Sequence, residues 1–151
     1  MKTTVQLCTA AILLLLLLTG CSTEHRSAAT ALAGNWDCTS AAVDGKALPE
    51  ATVKKLRLTL TETQYRTEKG DEVLFDSTYT VDPSTNPKQI NMVGTEGELN
   101  GKQAPGIYSL EADVLTLCYT MPGRPRPMRF ESPTNSGVFL MTWKRRNAVE
   151  R

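Results

Sequence analysis

The residues of this chain that could do chemistry are few and scattered. Its single histidine, His25, lies in a small, polar stretch that we expect to be flexible. Catalytic arrangements that use serine or cysteine with histidine need a histidine held by a folded shell. A tetrahedral zinc site also needs more histidine or paired cysteine ligands than the sequence offers. We therefore predict no histidine-based catalysis, no metal and no cofactor.

Carboxylates are the remaining candidates for catalysis. They occur in three neighbouring pairs, namely Asp71 with Glu72, Glu96 with Glu98, and Glu111 with Asp113. A paired-carboxylate hydrolase needs two acids at a fixed separation in a cleft, one of them buried enough to raise its pKa. All three pairs fall at predicted turns, where acids are normally solvated. The sequence thus predicts a protein that is not an enzyme.

The start of the chain has the composition of an export signal. One cation, Lys2, precedes an apolar run over residues 10–18, and the small residues Thr19 and Gly20 lead to Cys21. A membrane-spanning helix needs roughly 20 apolar residues, whereas the apolar part of a signal peptide needs only about 7 to 15. Small residues fit a narrow peptidase cleft, and the cysteine supplies a thiolate. We predict a removable signal over residues 1–20, cleaved between Gly20 and Cys21.

This arrangement resembles the lipobox of bacterial lipoproteins. The resemblance implies that Cys21 becomes the lipid-modified first residue of the mature chain and anchors it to a membrane through acyl chains. Ser22, rather than aspartate, follows Cys21, which in enteric-type systems implies transfer to the outer membrane. We expect an exported protein, lipid-anchored to the cell envelope at the periplasmic or surface face of the outer membrane rather than at the inner membrane.

The mature chain divides into three parts. Residues 21–31 are small and polar and predict a flexible tether. Residues 32–146 suit one domain, and residues 147–151 form a tail. Of the 17 lysines and arginines only Lys2 lies in the signal, which contains no acid, so the mature chain with its 16 acids is formally neutral. A neutral chain lacks the basic excess of nucleic-acid-binding proteins, and no such partner is expected.

From residue 35 onward the apolar pattern has a period of two, which indicates strands. Leu56, Leu58 and Leu60, for example, alternate with polar residues, and turn residues separate the runs. The predicted strands span residues 35–43, 55–61, 64–69, 72–81, 88–93, 105–111, 114–120 and a last unit within 128–144, with one helical turn at 49–54. An open sheet of eight strands would have two exposed edges. We therefore predict an all-β fold, an antiparallel up-and-down β-barrel, with a two-sheet β-sandwich as the alternative.

Two cysteines of the predicted domain, Cys38 and Cys118, could form a disulfide in an exported protein. Such a bond would stabilise the fold by about 4 kcal/mol in the chain-entropy treatment. However, Cys38 shares the inward face of Trp36, whereas Cys118 lies on the face opposite to Leu117. In an up-and-down barrel, moreover, the first strand does not neighbour the seventh. We favour free thiols over a disulfide.

The segment Leu32 to Trp36 resembles the Gly-x-Trp opening of lipocalin-like barrels. In that family the tryptophan plugs the closed end of the barrel, and a cation from the last strand often covers it. The resemblance assigns the plug to Trp36, and Lys144, Arg145 or Arg146 could supply the cation, in a contact of about 0.5 to 1 kcal/mol.

A longer set of segments resembles a lipocalin-like domain family of unknown function that is expanded in planctomycete-type bacteria. The segments are Val43–Lys46, Tyr79–Pro83, Asn86–Lys88, Gly106–Leu110, Leu115–Tyr119 and Pro122–Pro127 leading into Phe130. Together they cover about residues 32–146. The resemblance implies a fold and an envelope location, but no activity.

Inward-facing aromatic residues could line a ligand cavity at the barrel mouth or simply fill the interior. Arginines on the proline-rich loop 122–129 could hold an anion or be solvated. The candidate ligand-binding residues are Tyr65, Tyr79, Tyr108, Tyr119, Arg124 and Arg126.

Two functional hypotheses follow from these residues. The first is non-enzymatic binding of a small apolar or amphipathic ligand by a membrane-anchored barrel. The second is a solid-core interaction or structural module that docks an envelope protein or polymer through loops 122–129 and 82–88.

Overall fold

The computed structural model describes residues 20–147, and their side chains from Thr23 onward. The predicted export signal up to residue 19 and the tail from residue 148 lie outside the described residues, as does the side chain of Cys21.

The described part of the chain is mostly β-structure. Its elements are α1 (Gly20–Leu32), β1 (Gly34–Val43), β2 (Lys46–Ala47), α2 (Glu50–Val53), β3 (Leu56–Leu60), β4 (Gln64–Lys69), β5 (Glu72–Asp82), β6 (Lys88–Gly94), a 3-10 turn (Gly97–Leu99), β7 (Gln103–Glu111), β8 (Val114–Thr120) and β9 (Val138–Arg145).

Eight of these strands close into an antiparallel barrel. Their order around the barrel is β1-β3-β4-β5-β6-β7-β8-β9, and β9 pairs back with β1 from Trp36 opposite Arg145 to Val43 opposite Phe139. The short strand β2 extends the sheet beside β1. Closure leaves these eight strands without an unpaired edge. The structure confirms the up-and-down barrel and excludes the sandwich.

The period-two pattern places one side of each strand inside the barrel. In β3, Leu56, Leu58 and Leu60 are buried, while Arg57 and Thr59 are partly exposed. Burying one leucine side chain contributes about 1.5 to 3 kcal/mol. The interior core contains both tryptophans and fills the barrel from Leu32 at one end to Met141 near the other.

The strand directions define two ends. We call the end where β1 starts the closed end; helix α1 and turns 61–63, 83–87 and 112–113 lie there. The opposite end, which we call the mouth, carries α2, turn 70–71, and the connections 95–102 and 121–137.

The segment 21–31, predicted as a flexible tether, is instead part of α1. Ala29 and Leu32 are buried against the barrel. The indole nitrogen of Trp36 donates a hydrogen bond to the Leu32 carbonyl at 3.1 Å, and the Tyr79 hydroxyl donates to the Ala29 carbonyl at 3.4 Å. Few apolar residues face the barrel, so the composition alone resembles that of a spacer.

The last strand is shorter than predicted. Strand β9 begins only at Val138, while the predicted turn at 49–54 is confirmed by α2. Residues 121–137 form a loop over the outer face of the barrel, where Phe130 packs against a second small core of Ile107, Cys118 and Val138. The prolines of this loop cannot donate ladder hydrogen bonds, which explains the delayed start of the strand.

Candidate functional site: the mouth cavity

A cavity of about 340 Å³ opens at the mouth of the barrel. Its lining includes Leu48, Leu56, Phe75, Tyr119, Phe139 and Met141, and is almost entirely apolar. Small-molecule sites commonly have volumes of about 300 to 1,000 Å³ and mostly apolar walls. At about 30 Å³ per water molecule, the cavity has room for roughly ten non-hydrogen atoms.

Strands β8 and β9 provide one rigid wall of the cavity. The rings of Tyr119 and Phe139 stack with their centres 5.1 Å apart and 4° between their planes. The Tyr119 hydroxyl also lies 3.7 Å from the sulfur of Met141. Tyr119 and Phe139 are paired across β8 and β9, and Met141 lies two residues further along β9, so the ladder fixes the spacing of these side chains.

A layer of neutral hydroxyl groups lies beneath the apolar part of the cavity. The Tyr65 hydroxyl and the Thr67 hydroxyl are buried and lack a partner with hydrogen-bond geometry. Burial raises the pKa of Tyr65 to about 12, an effect that the nearby Thr67 and Tyr119 side chains partly offset. Burial also raises the pKa of Tyr119 well above its usual value. Both phenols are therefore neutral at physiological pH, and the floor carries no charge.

The rim of the cavity carries both a charged side chain and exposed apolar side chains. Lys69 lines the rim, and its amine lies 3.4 Å from a carboxylate oxygen of Glu72. Leu74 and Met121 are also at the rim and are 44% and 39% exposed. A ligand at the mouth would therefore meet one cation, already paired, and apolar side chains that are open to solvent.

The other end of the barrel is sealed. The Trp36 side chain is fully buried there, with the guanidinium carbon of Arg145 at 4.1 Å from the ring centre. Arg145 also donates to the carbonyls of Ala31 and Ala33 at 2.8 and 2.7 Å, linking β9 to the end of α1. Of the three cations considered for this contact, Arg145 covers the tryptophan, whereas Arg146 pairs with Asp37.

The four candidate tyrosines separate along the barrel axis. Tyr119 lines the cavity and Tyr65 lies under it. Tyr79 and Tyr108 are buried near the closed end, and the Tyr79 hydroxyl donates to the Thr61 carbonyl at 2.7 Å. Tyr79 and Tyr108 therefore do not line the mouth cavity, and Tyr79 lines a separate pocket at the closed end, because alternation reports the face of a strand and not the height along it.

The two candidate arginines lie outside the cavity lining. Arg126 donates to the carbonyls of Ile90 and Gly106 and to the side-chain oxygen of Asn91, at 3.0, 2.6 and 2.6 Å. Arg124 donates to the Ser136 carbonyl at 3.2 Å. The Arg126 guanidinium therefore holds the 121–137 loop to the barrel, whereas Arg124 forms its hydrogen bond within the loop.

Both cysteines of the domain are free thiols. Cys38 belongs to the core inside the barrel, while Cys118 packs under the 121–137 loop on the outer face. Burial raises the pKa of each thiol to about 11. The inference that the two side chains point to opposite faces is confirmed.

Other residues of the cavity were missed by the sequence reasoning. Thr67, Ala104 and Met141 line it although none is aromatic or charged. Their inward positions on β4, β7 and β9 were the available signal, since each is buried between two less buried neighbours.

The acids do not assemble into a shared site. Two of the neighbouring pairs, at residues 71–72 and 96–98, lie at the mouth, and the pair at 111–113 lies at the closed end. Within residues 20–147, no three side chains of the metal-ligating types come together. In the same range, no helix has the length and apolar character needed to cross a membrane.

The fold and site define an eight-stranded antiparallel barrel with a sealed end and an apolar cavity at its mouth. Comparison of the chain with protein-family models, with curated proteins and with solved structures gives no match.

Proposed function

We propose that this protein is a non-enzymatic, lipid-anchored binding protein whose mouth cavity holds a small apolar or amphipathic molecule. The observation that carries the proposal is the open cavity of about 340 Å³ with its apolar wall. Such a surface is costly to leave in contact with water and favours an apolar occupant. We also propose that the domain belongs with the lipocalin-like family described above.

The anchor is the second part of the proposal. An acyl chain contributes about 0.8 kcal/mol per buried CH₂ group, and more than one chain makes attachment stable. The motif ending at Cys21 supports export and lipid attachment, and Ser22 supports the outer membrane over the inner membrane. Substitution Cys21→Ser is expected to abolish incorporation of labelled palmitate, and continued incorporation would contradict the anchor.

The cavity favours ligand binding over a solid-core module. Loop 122–129 of that alternative is already bound to the barrel through Arg126, which donates to the Gly106 carbonyl at 2.6 Å, so this arginine is not free to dock a partner.

The ligand proposal is tested with a matched pair of substitutions. Ala104→Leu adds apolar volume to the cavity wall, whereas Ala42→Leu adds the same volume on the outer face of β1. We expect the wild-type domain and Ala42→Leu to bind the neutral fluorophore 1-aminonaphthalene, whose size matches the cavity, equally. Ala104→Leu should lose at least about tenfold in affinity, the scale at which one methylene is discriminated in an apolar pocket.

Two outcomes would contradict ligand binding. One is an absence of fluorophore binding by the wild-type protein, and the other is equal binding by both leucine variants. If binding is observed as expected, native mass spectrometry of the protein purified from its own host identifies the natural occupant as a retained mass.

A further inference from the structure

The attachment of α1 to the barrel has a geometric consequence for a membrane-anchored protein. Several contacts bind the second half of the helix to the closed end. Leu32 is fully buried, Arg145 donates to the Ala31 carbonyl, and the Trp36 indole donates to the Leu32 carbonyl. The Thr30 hydroxyl donates to Glu62 at 3.2 Å, and Arg26 lies 3.7 Å from the same carboxylate. The helix is thus part of the folded body.

The docked part of the helix extends back to His25. Its ring nitrogen lies 3.9 Å from the carboxylate of Asp82, at the closed end of β5. Cys21 precedes His25 by four residues, which span about 6 Å in a helix. Even a fully extended chain of this length reaches only about 14 Å. Any lipid on Cys21 is therefore held close to the closed end.

The barrel is longer than this reach. Strand β5 has 11 residues, and with a rise of about 3.3 Å per residue and a strand tilt of about 40° the distance from closed end to mouth is about 25 Å. If the mouth faced the bilayer, the closed end would stand farther from the lipid surface than the anchor segment can span.

We propose that the closed end faces the anchoring bilayer and that the mouth opens away from it, so that ligand enters and leaves on the aqueous side. This inference rests on the lipid attachment at Cys21 proposed above. It makes the exposed rim residues Leu74 and Met121 accessible to a carrier or to a facing surface, but not to the lipids in which the protein is anchored.

The orientation is measured by energy transfer in vesicles. The complete mature lipoprotein is reconstituted in phosphatidylcholine vesicles that contain a headgroup-labelled acceptor lipid. A donor is attached through Glu111→Cys at the closed end or through Asp71→Cys at the mouth, both exposed positions. Cys38 and Cys118 are buried, and the unsubstituted protein controls for their labelling.

We expect the donor at position 111 to transfer more energy to the bilayer than the donor at position 71. A flexible Gly/Ser insert of about 20 residues between Ser22 and Thr23 extends the reach to roughly 25 Å while leaving the docked half of α1 intact. Because the tether still starts at the closed end, this insert should reduce the difference between the two donors without removing it.

Equal transfer from both positions in the protein of native length, or greater transfer from position 71, would overturn the orientation. An undiminished difference in the protein with the insert would also overturn it, because the short docked anchor would not be its cause. Flotation with vesicles separates these results from a failure of anchoring. If the protein does not float, the lipid attachment itself is wrong and the orientation is overturned with it, whereas the fluorophore test of ligand binding is unaffected.

Discussion

The guanidinium group of Arg145 covers the ring of Trp36, with its central carbon 4.1 Å from the ring centre. Arg145 belongs to the last strand and Trp36 to the first, and the two residues are paired in the ladder that closes the barrel. The same guanidinium holds the end of α1 through two carbonyls. The Arg145 side chain therefore links three features: the β1–β9 pairing that closes the barrel, the buried Trp36 ring, and helix α1, which leads to the proposed anchor.

Replacement of Arg145 should destabilise the domain. Arg145→Ala loses the cation–π contact, worth about 0.5 to 1 kcal/mol at an exposed site, and leaves the Ala31 and Ala33 carbonyls without their donor. We expect the free energy of unfolding to fall by about 1 to 3 kcal/mol in urea titrations. Lys144→Ala, at the exposed neighbouring position, is the control and should change stability by less than about 0.5 kcal/mol. Equal effects of the two substitutions would show that the contact contributes nothing.

The hydroxyl of Thr67, which lacks a hydrogen-bond partner, should not be needed for stability. Thr67→Val removes a buried hydroxyl that lacks a partner, so the variant should be as stable as the wild type or more stable by up to about 1 kcal/mol. Thr120→Val is the matched control, because the Thr120 hydroxyl is also buried but donates to the Pro125 carbonyl at 3.0 Å. That substitution should cost about 1 kcal/mol. A larger loss for Thr67→Val than for Thr120→Val in urea titrations would contradict the hydrogen-bond geometry described here.

Stability should fall at alkaline pH. Burial raises the pKa of Cys38 and Cys118 from 9.0 to about 11, and that of Tyr65 from 10.0 to about 12. Above pH 9.0 the unfolded chain releases protons that the folded chain retains, so the free energy of unfolding decreases as pH rises. The contribution of these groups is complete below pH 9.0 and is lost by about pH 12.

Tyr65→Phe isolates the part that comes from Tyr65. Its urea midpoint should decline less steeply than that of the wild type between pH 10.0 and about 12, because phenylalanine does not ionise. Identical slopes in the two proteins over this range would indicate that the Tyr65 phenol is not buried.

The thiols of Cys38 and Cys118 should react only after unfolding. Both are buried, and the raised pKa keeps them as thiols rather than as the reactive thiolates. We expect the intact mass of the domain to be the same with and without reductant, and alkylation to be slow in the native state. Denaturant should expose both sites. If reduction instead increased the mass by two hydrogens, the two cysteines would form a disulfide. Cys38 and Cys118 would then have to lie on the same face of the sheet.

Much of the barrel could be predicted from local pattern. Seven of the eight predicted strands agree with the structure to within about two residues, because the alternation in runs such as Leu56 to Leu60 follows directly from strand geometry. The last predicted unit failed over residues 128–137, where apolar Phe130 packs onto the outer face of the barrel rather than into a ladder.

The cavity could be predicted only in part. Alternation identified Tyr65 and Tyr119 as inward-facing, but it also selected Tyr79 and Tyr108, which are buried at the other end. The depth of a residue along the axis depends on register across several strands, and register is fixed only when the sheet closes. The role of Arg126 could likewise not be predicted, since its acceptors belong to strand residues that are distant in sequence.

Local sequence thus specified which segments are strands, which faces are apolar and why Cys38 and Cys118 remain apart, because these properties depend on a period of two along a single strand. Closure of the sheet decided the rest. It brought Arg145 onto Trp36, folded a polar segment into α1 against the sealed end, and left space between Tyr119, Phe139 and the opposite wall. Those features depend on contacts between residues of distant strands, and such contacts cannot be predicted from the pattern of a single segment.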